Sequence, residues 1–89
     1  MKFVVTVIGK DRVGIISTVS HALAENNVNI IGINQNIMNG FFNMVLIAEF
    51  VDKNTKIQEL QKTLKEKGKE LNVEIKVQHE EIFNAMHTI

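Results

Sequence analysis

The chain has no cysteine and no proline. The first absence excludes disulfides, thiolate metal sites and cysteine nucleophiles. The second, with glycine at only five positions, leaves no stretch with the composition of a linker or a low-complexity segment. No apolar run approaches the roughly 20 residues that a bilayer-spanning helix needs. The first residues enter a strand pattern at once rather than a charged and then apolar leader, so the expectation is a cytoplasmic protein with no membrane contact. Charge of one sign is missing too. Ten basic and ten acidic residues cancel, which removes the electrostatic footprint of a nucleic-acid binder. What is present is enough apolar sequence for a core, 45% of the 89 residues. A chain this short gains limited stability from burial, so a second copy would help it. One domain over residues 1–89 is expected.

Residues 3–8 are all aromatic or β-branched, which suits a central strand with Phe3, Val5 and Val7 on one face and Val4, Thr6 and Ile8 on the other. The stretch Gly9-Lys10-Asp11-Arg12-Val13-Gly14-Ile15 then turns the chain into a helix. Gly9 permits a tight turn, and Asp11 is a good N-cap whose carboxylate can accept the N–H of Val13 or Gly14. Gly14 falls in the first turn, where it is a poor helix former and where four N–H groups lack intrahelical partners. A small anion, such as the carboxylate of a free amino acid, suits those donors and the positive end of the helix dipole. A plain strand-to-helix turn accounts for the same residues. The helix carries Ile16, Val19 and Leu23 as its stripe, and Asn27 can take the left-handed conformation that closes it.

A second strand covers residues 29–38, and Asn39-Gly40 is the signature of a type I′ hairpin. Its register sets Ile37 opposite Phe42, Gln35 opposite Met44, Ile33 opposite Leu46 and Ile31 opposite Ala48, a face expected to meet the helices. The other face has Asn34, Asn36 and Asn43 near the turn, then Ile30, Gly32, Val45 and Ile47. Thr55-x-x-Gln58 is a capping box for a helix with Ile57, Leu60 and Leu64 buried and Gly68 at its end. Its lysines alternate with Glu59, Glu66 and Glu70 and read as a solvated surface. Residues 71–78 alternate as an edge strand with Val73, Ile75 and Val77 inward. Residues 79–89 place Ile82, Phe83, Met86 and Ile89 on one stripe of a C-terminal amphipathic helix, which is too short to be stable undocked. The order defines an α+β fold, a ferredoxin-like βαββαβ sandwich. It has a four-stranded antiparallel sheet with strands one and three central, two helices on one face, and the short C-terminal helix besides.

No constellation for catalysis is found, and no cofactor or metal is expected. Ser17 and His21 are one helical turn apart without an orienting acid in the nearby sequence. His79 and His87, with Glu80 and Glu81, would need a further ligand to hold a metal. Arg12 is the only arginine, but its neighbours do not form the phosphate loop of an acylphosphatase. RNA recognition on this topology needs exposed aromatics on the central strands, and Phe41 and Phe42 sit at the hairpin pointing opposite ways.

The Gly9 to Ile15 motif between strand and helix, followed by Asn29-Ile30 and Gln35 on the next strand, resembles the ACT domain, a small-molecule regulatory module. The likeness covers essentially the whole chain. It extends to the ACT domains of the glycine-cleavage regulator and, in particular, to small free-standing, uncharacterised ACT proteins ending in a helix like Ile82-Phe83-Asn84-Ala85-Met86. The resemblance implies a homodimer with an amino acid held between subunits. Gly9, Lys10, Asp11, Arg12, Val13, Gly14 and Ile15 would form the receiving loop. Asp11 would cap the helix or meet the α-ammonium, and the N–H groups around Val13, Gly14 and Ile15 would meet the α-carboxylate. Asn29, Ile30 and Ile31, with Asn34 or Gln35, would be contributed by the other subunit. Val13 stands where the family often has proline, which leaves a more mobile turn with one extra donor. A structural hydrogen bond and a ligand contact remain alternatives for Gln35. The functional expectation is a regulatory module that binds a small molecule and acts on a further protein partner not named by the sequence. A non-catalytic interaction module without ligand is the alternative.

Overall fold

The computed structural model describes residues 2–10, 12–51 and 57–81. Its elements are β1 (Lys2–Lys10), α1 (Ile15–Glu25), β2 (Val28–Met38), β3 (Phe41–Phe50), α2 (Ile57–Leu71) and β4 (Val73–His79). The strands form one antiparallel sheet in the order β2-β3-β1-β4. The two most apolar strands are thus central, and the hairpin and the two crossovers close the ferredoxin-like sandwich expected from the element order.

Packing follows the period-2 alternation of the central strands. Phe3, Val5 and Val7 pair with Ala48, Leu46 and Met44, and all six are buried against Val19 and Leu23 of α1 and Leu60 and Leu64 of α2. The rings of Phe3 and Phe50 lie 4.8 Å apart, tilted, at one end of this layer.

The helix boundaries differ from the sequence reading in ways that geometry explains. α1 begins at Ile15, with Gly14 just before it rather than in its first turn, and buries Ile15, Val19, Ala22 and Leu23. Its stripe therefore runs through Ile15, and Ile16 is turned partly outward. α2 continues past Gly68 to Leu71 because Gly68 is buried where the helix crosses β4. A Cβ there would lie 2.7 Å from the Val73 carbonyl oxygen. Asn72, at φ 58°, is the left-handed residue that ends the helix, so β4 starts at Val73 rather than at residue 71. Asn27 closes α1 in the same conformation, at φ 57°.

The hairpin turn forms as expected, with Asn39 and Gly40 both at positive φ. The ladder matches the predicted register from Met38↔Phe41 to Gly32↔Ile47 and then slips, pairing Ile30 rather than Ile31 with Ala48. Ile31 is the extra residue of a bulge. The slip brings Val28 opposite Phe50, on the helix side, where Val28 is buried. Without it that valine would face away. The rest of β2 does not join the core as expected. Ile33 and Ile37 remain 51% and 55% exposed, because β2 is an edge strand and the helices cover its neighbours. Of the expected C-terminal helix, Glu80 and Glu81 are helical, while residues 82–89, like Thr55 of the capping box, lie outside the described residues. No described helix is long and apolar enough to cross a membrane.

Candidate functional site

The end of β1, the start of α1 and the hairpin end of the β2-β3 ribbon enclose a hollow of about 390 Å³, within the size range of small-ligand pockets. Its lining comes from Arg12, Gly14, Ile15, Ile16, Ser17, Gln35, Ile37 and Phe42. Ile16, Ile37 and Phe42 give it an apolar wall, and the turn into α1 gives it a polar rim.

Gly14 sets that rim. It is the N-cap of α1 in the left-handed region, at φ 93° and ψ −1°, a conformation that a residue with a Cβ adopts only under strain. Its carbonyl accepts the first helical bond from the Thr18 N–H at 2.9 Å and a second bond from the Ser17 hydroxyl at 3.1 Å. Having no side chain, Gly14 cannot cap the donors that follow it. The N–H groups of Ile15, Ile16 and Ser17 point out of the helix start without intrahelical acceptors. The N-cap position is Gly14, and Asp11, the expected cap, lies outside the described residues. The donors without intrahelical acceptors run two positions later than the Val13, Gly14 and Ile15 of the sequence reading, with Ile15 common to both.

Arg12 closes one side. Its guanidinium Nη1 donates to the Leu71 carbonyl at 3.1 Å, satisfying an acceptor at the negative end of α2 and pinning the loop to that helix. Gly9 proves to be a strand residue opposite Phe42 and Val73. A Cβ there would meet Val73 Cγ1 at 2.7 Å, so glycine is needed for close strand contact and not for a turn. Lys10 pairs with Phe41 at the end of β1 and is exposed, and Val13 is 97% exposed at the outer tip of the turn.

Of the residues expected to meet a ligand, Arg12, Gly14, Ile15 and Gln35 share the hollow. Gln35 also borders a second, smaller hollow on the opposite sheet face with Asn34, Asn36 and Asn43. Gln35 thus lines a hollow on each side of the edge strand. Asn29, Ile30 and Ile31 do not join the hollow of their own chain. They lie about five residues down β2, roughly 17 Å at the rise of a strand. Sequence reasoning missed Ile16, Ser17, Ile37 and Phe42 as lining residues. Ile16 was placed on the core stripe, and the Ile37–Phe42 pair was expected beneath a helix. The signal that could have found the pair is its position next to the turn, at the end of an edge strand.

The Ser17 hydroxyl donates to the Gly14 carbonyl, and no hydrogen bond joins it to His21 among the described residues. His21 instead meets Glu25, one turn on, through Nε2 and Oε1, an acidic neighbour that the sequence reading overlooked. Among the described residues no cluster of three or more His, Asp or Glu side chains is placed to hold a metal. His87 lies outside them.

A βαββαβ sandwich with a glycine-capped helix beside an edge strand is the architecture of a known family. The chain belongs to the ACT domain family, whose model matches residues 2–78. It is 46% identical to the UPF0237 protein of Methanosarcina acetivorans, over 99% of this chain and 96% of that protein. Among solved structures, the ACT domain protein from Streptococcus pneumoniae superposes with a TM-score of 0.82 at 36% identity, covering 98% of both chains. The regulatory subunit of aspartate kinase from Thermus thermophilus, in its ligand-free form, shares the fold. Its TM-score is 0.67 at 23% identity, over 86% of this chain and 49% of that one.

Proposed function

We propose that the chain is a non-catalytic ACT regulatory module, cytoplasmic and homodimeric, that binds a free amino acid where the β1-α1 loop of one copy meets β2 of the other. The observation that carries this reading is the hollow beside Gly14, with open helix donors on one side and apolar side chains on the other. The α-carboxylate is assigned to the N–H groups of Ile15, Ile16 and Ser17, with the Arg12 cation nearby. The α-ammonium is assigned to the Gln35 amide oxygen or to Asp11. An apolar ligand side chain fits against Ile16, Ile37 and Phe42.

The edge strand supports the second copy. β2 has no charged residue in its 11 positions, and Ile31, Ile33, Ile37 and Met38 are exposed along it. Such an edge is open to pairing with another strand. Antiparallel pairing of two copies about a point between Gly32 and Ile33 would bring residues 29–31 of one beside residues 34–36 of the other. That arrangement unites the two groups of expected ligand contacts that a single chain keeps apart. A ligand bound across the junction stabilises one packing of the dimer, and a regulated protein partner reads the difference. The regulatory role of the kinase subunit with this fold is in keeping with the proposal.

A thermal-shift screen of the twenty free amino acids at millimolar concentration tests it. At a hundredfold excess over Kd a ligand adds about 2.7 kcal/mol, a rise of many degrees for a domain of this size. No rise with any of them would favour the alternative, an interaction module whose apolar edge recruits protein without a metabolite.

A further inference from the structure

The charges of α2 sort into two adjoining stripes. Lys62, Lys65 and Lys69 recur at i, i+3 and i+7 as a basic flank, and Glu59, Glu66 and Glu70 recur at i, i+7 and i+11 as an acidic flank beside it, with Glu66 one turn from both Lys62 and Lys69. The basic flank faces β4, since Gln61 on that side donates to the Val77 carbonyl at 2.8 Å. Lys65 and Lys69 line, with Glu74, Ile75 and Lys76 of β4, a hollow of about 570 Å³. The acidic flank faces α1, where Lys67 and Glu70 border a hollow with Ser17 and His21. Among the described residues, Lys62, Lys65 and Lys69 have no ion-pair partner, whereas Lys67 pairs with Glu70 at 3.8 Å and Lys76 with Glu74 at 3.4 Å.

β4 is the other edge strand of the sheet, with no strand paired to its outer side among the described residues. The bond from Gln61 shows that the Val77 carbonyl is turned away from β1, and the alternation of an antiparallel strand turns the amide and carbonyl of Ile75 the same way. Ile75 lines the hollow beside Lys65 and Lys69. A second copy of the chain is a poor occupant, because pairing β4 with β4 would bring two lysine flanks together. We propose that the outer edge of β4 and the basic flank of α2 form a docking groove for an extended segment of a partner protein with acidic residues at alternate positions. The segment adds as a fifth strand. Its main chain bonds to Ile75, and its helix-side carboxylates meet Lys65 and Lys69. This edge is opposite the one assigned to the second copy, so both can be occupied at once.

The probes are two fluorescein-labelled decapeptides of one composition, with glutamate and valine alternating in one and in two blocks in the other. Anisotropy measures their binding to the full chain, and amide chemical shifts locate it. The expected result is binding of the alternating peptide, with shifts at residues 73–77. The block peptide should bind about tenfold more weakly, as should the alternating peptide to Lys62→Glu/Lys65→Glu/Lys69→Glu, and both losses should shrink as salt is added. Circular dichroism checks that this variant folds, and Lys65→Gln/Lys69→Gln gives the same comparison without charge reversal. Equal binding of both peptides, or tighter binding of single-stranded DNA of the same charge, would overturn the proposal in favour of a general polyanion surface. No binding at all would mean that the lysines serve only to keep β4 edges apart.

Discussion

A single backbone angle makes the site open. Gly14 at φ 93° turns the chain into α1 without a side chain to cover the donors behind it, and any residue with a Cβ is strained there whatever the surrounding space. Gly14→Ala should therefore lose about 1–3 kcal/mol of stability, measured by urea unfolding, and with it the response to an amino acid. Unchanged stability would mean that the turn relaxes at no cost. The need for glycine was legible in the sequence, but its position in the turn was not. Asp11 looked like the cap because Asp is the commoner cap residue, and nothing local distinguishes a glycine inside a first turn from one just before it. The role of Gly9 was hidden for a different reason: it depends on Val73, which approaches from the far end of the chain.

At the scale of elements, the two helices and the hairpin were readable from periodicity and turn chemistry, and what escaped was long-range contact. Gly68 looked like a helix end because glycine commonly is one. It is instead the point at which α2 touches β4, and Asn72 does the ending. Gly68→Ala should cost roughly 2 kcal/mol or more, since the added methyl meets a main-chain oxygen and α2 must lift. Thermal or urea denaturation measures this, and a variant as stable as the parent would contradict the close approach. The β2 bulge escaped likewise. The Asn-Gly turn fixes the register for only as far as the ladder stays regular, and burial of Val28 decides the phase beyond Gly32. Ile31 absorbs the difference on the exposed edge, where an extra residue costs least.

On the scale of the whole molecule, the two edges of one sheet are built differently. β2 carries no charge, while β4 runs beside Lys65 and Lys69, and this asymmetry is why the proposed self-association is placed on the first. Ile33→Lys puts a charge in the middle of β2 at a residue that is already half exposed, so it should leave the monomer folded and shift sedimentation from dimer to monomer. A dimer that persists would place the interface elsewhere. The fold class was legible from the order of elements alone, since few topologies accommodate it. The expected site was legible only in part. Its residues lie on two stretches that a single chain keeps roughly 17 Å apart, and no reading of one copy brings them together.

The central claim is that the open amides at the start of α1 hold the acid group of an amino acid between two copies. The most direct measurement is an amide-resolved titration of the 15N-labelled protein with whichever amino acid raises its melting temperature most. The account predicts that the amides of Ile15, Ile16 and Ser17 move together with those of residues 29–31 and 34–35, at one common affinity, and that Ile33→Lys loses the response. Shifts confined to other surfaces, or an undiminished response in a monomeric Ile33→Lys protein, would contradict it.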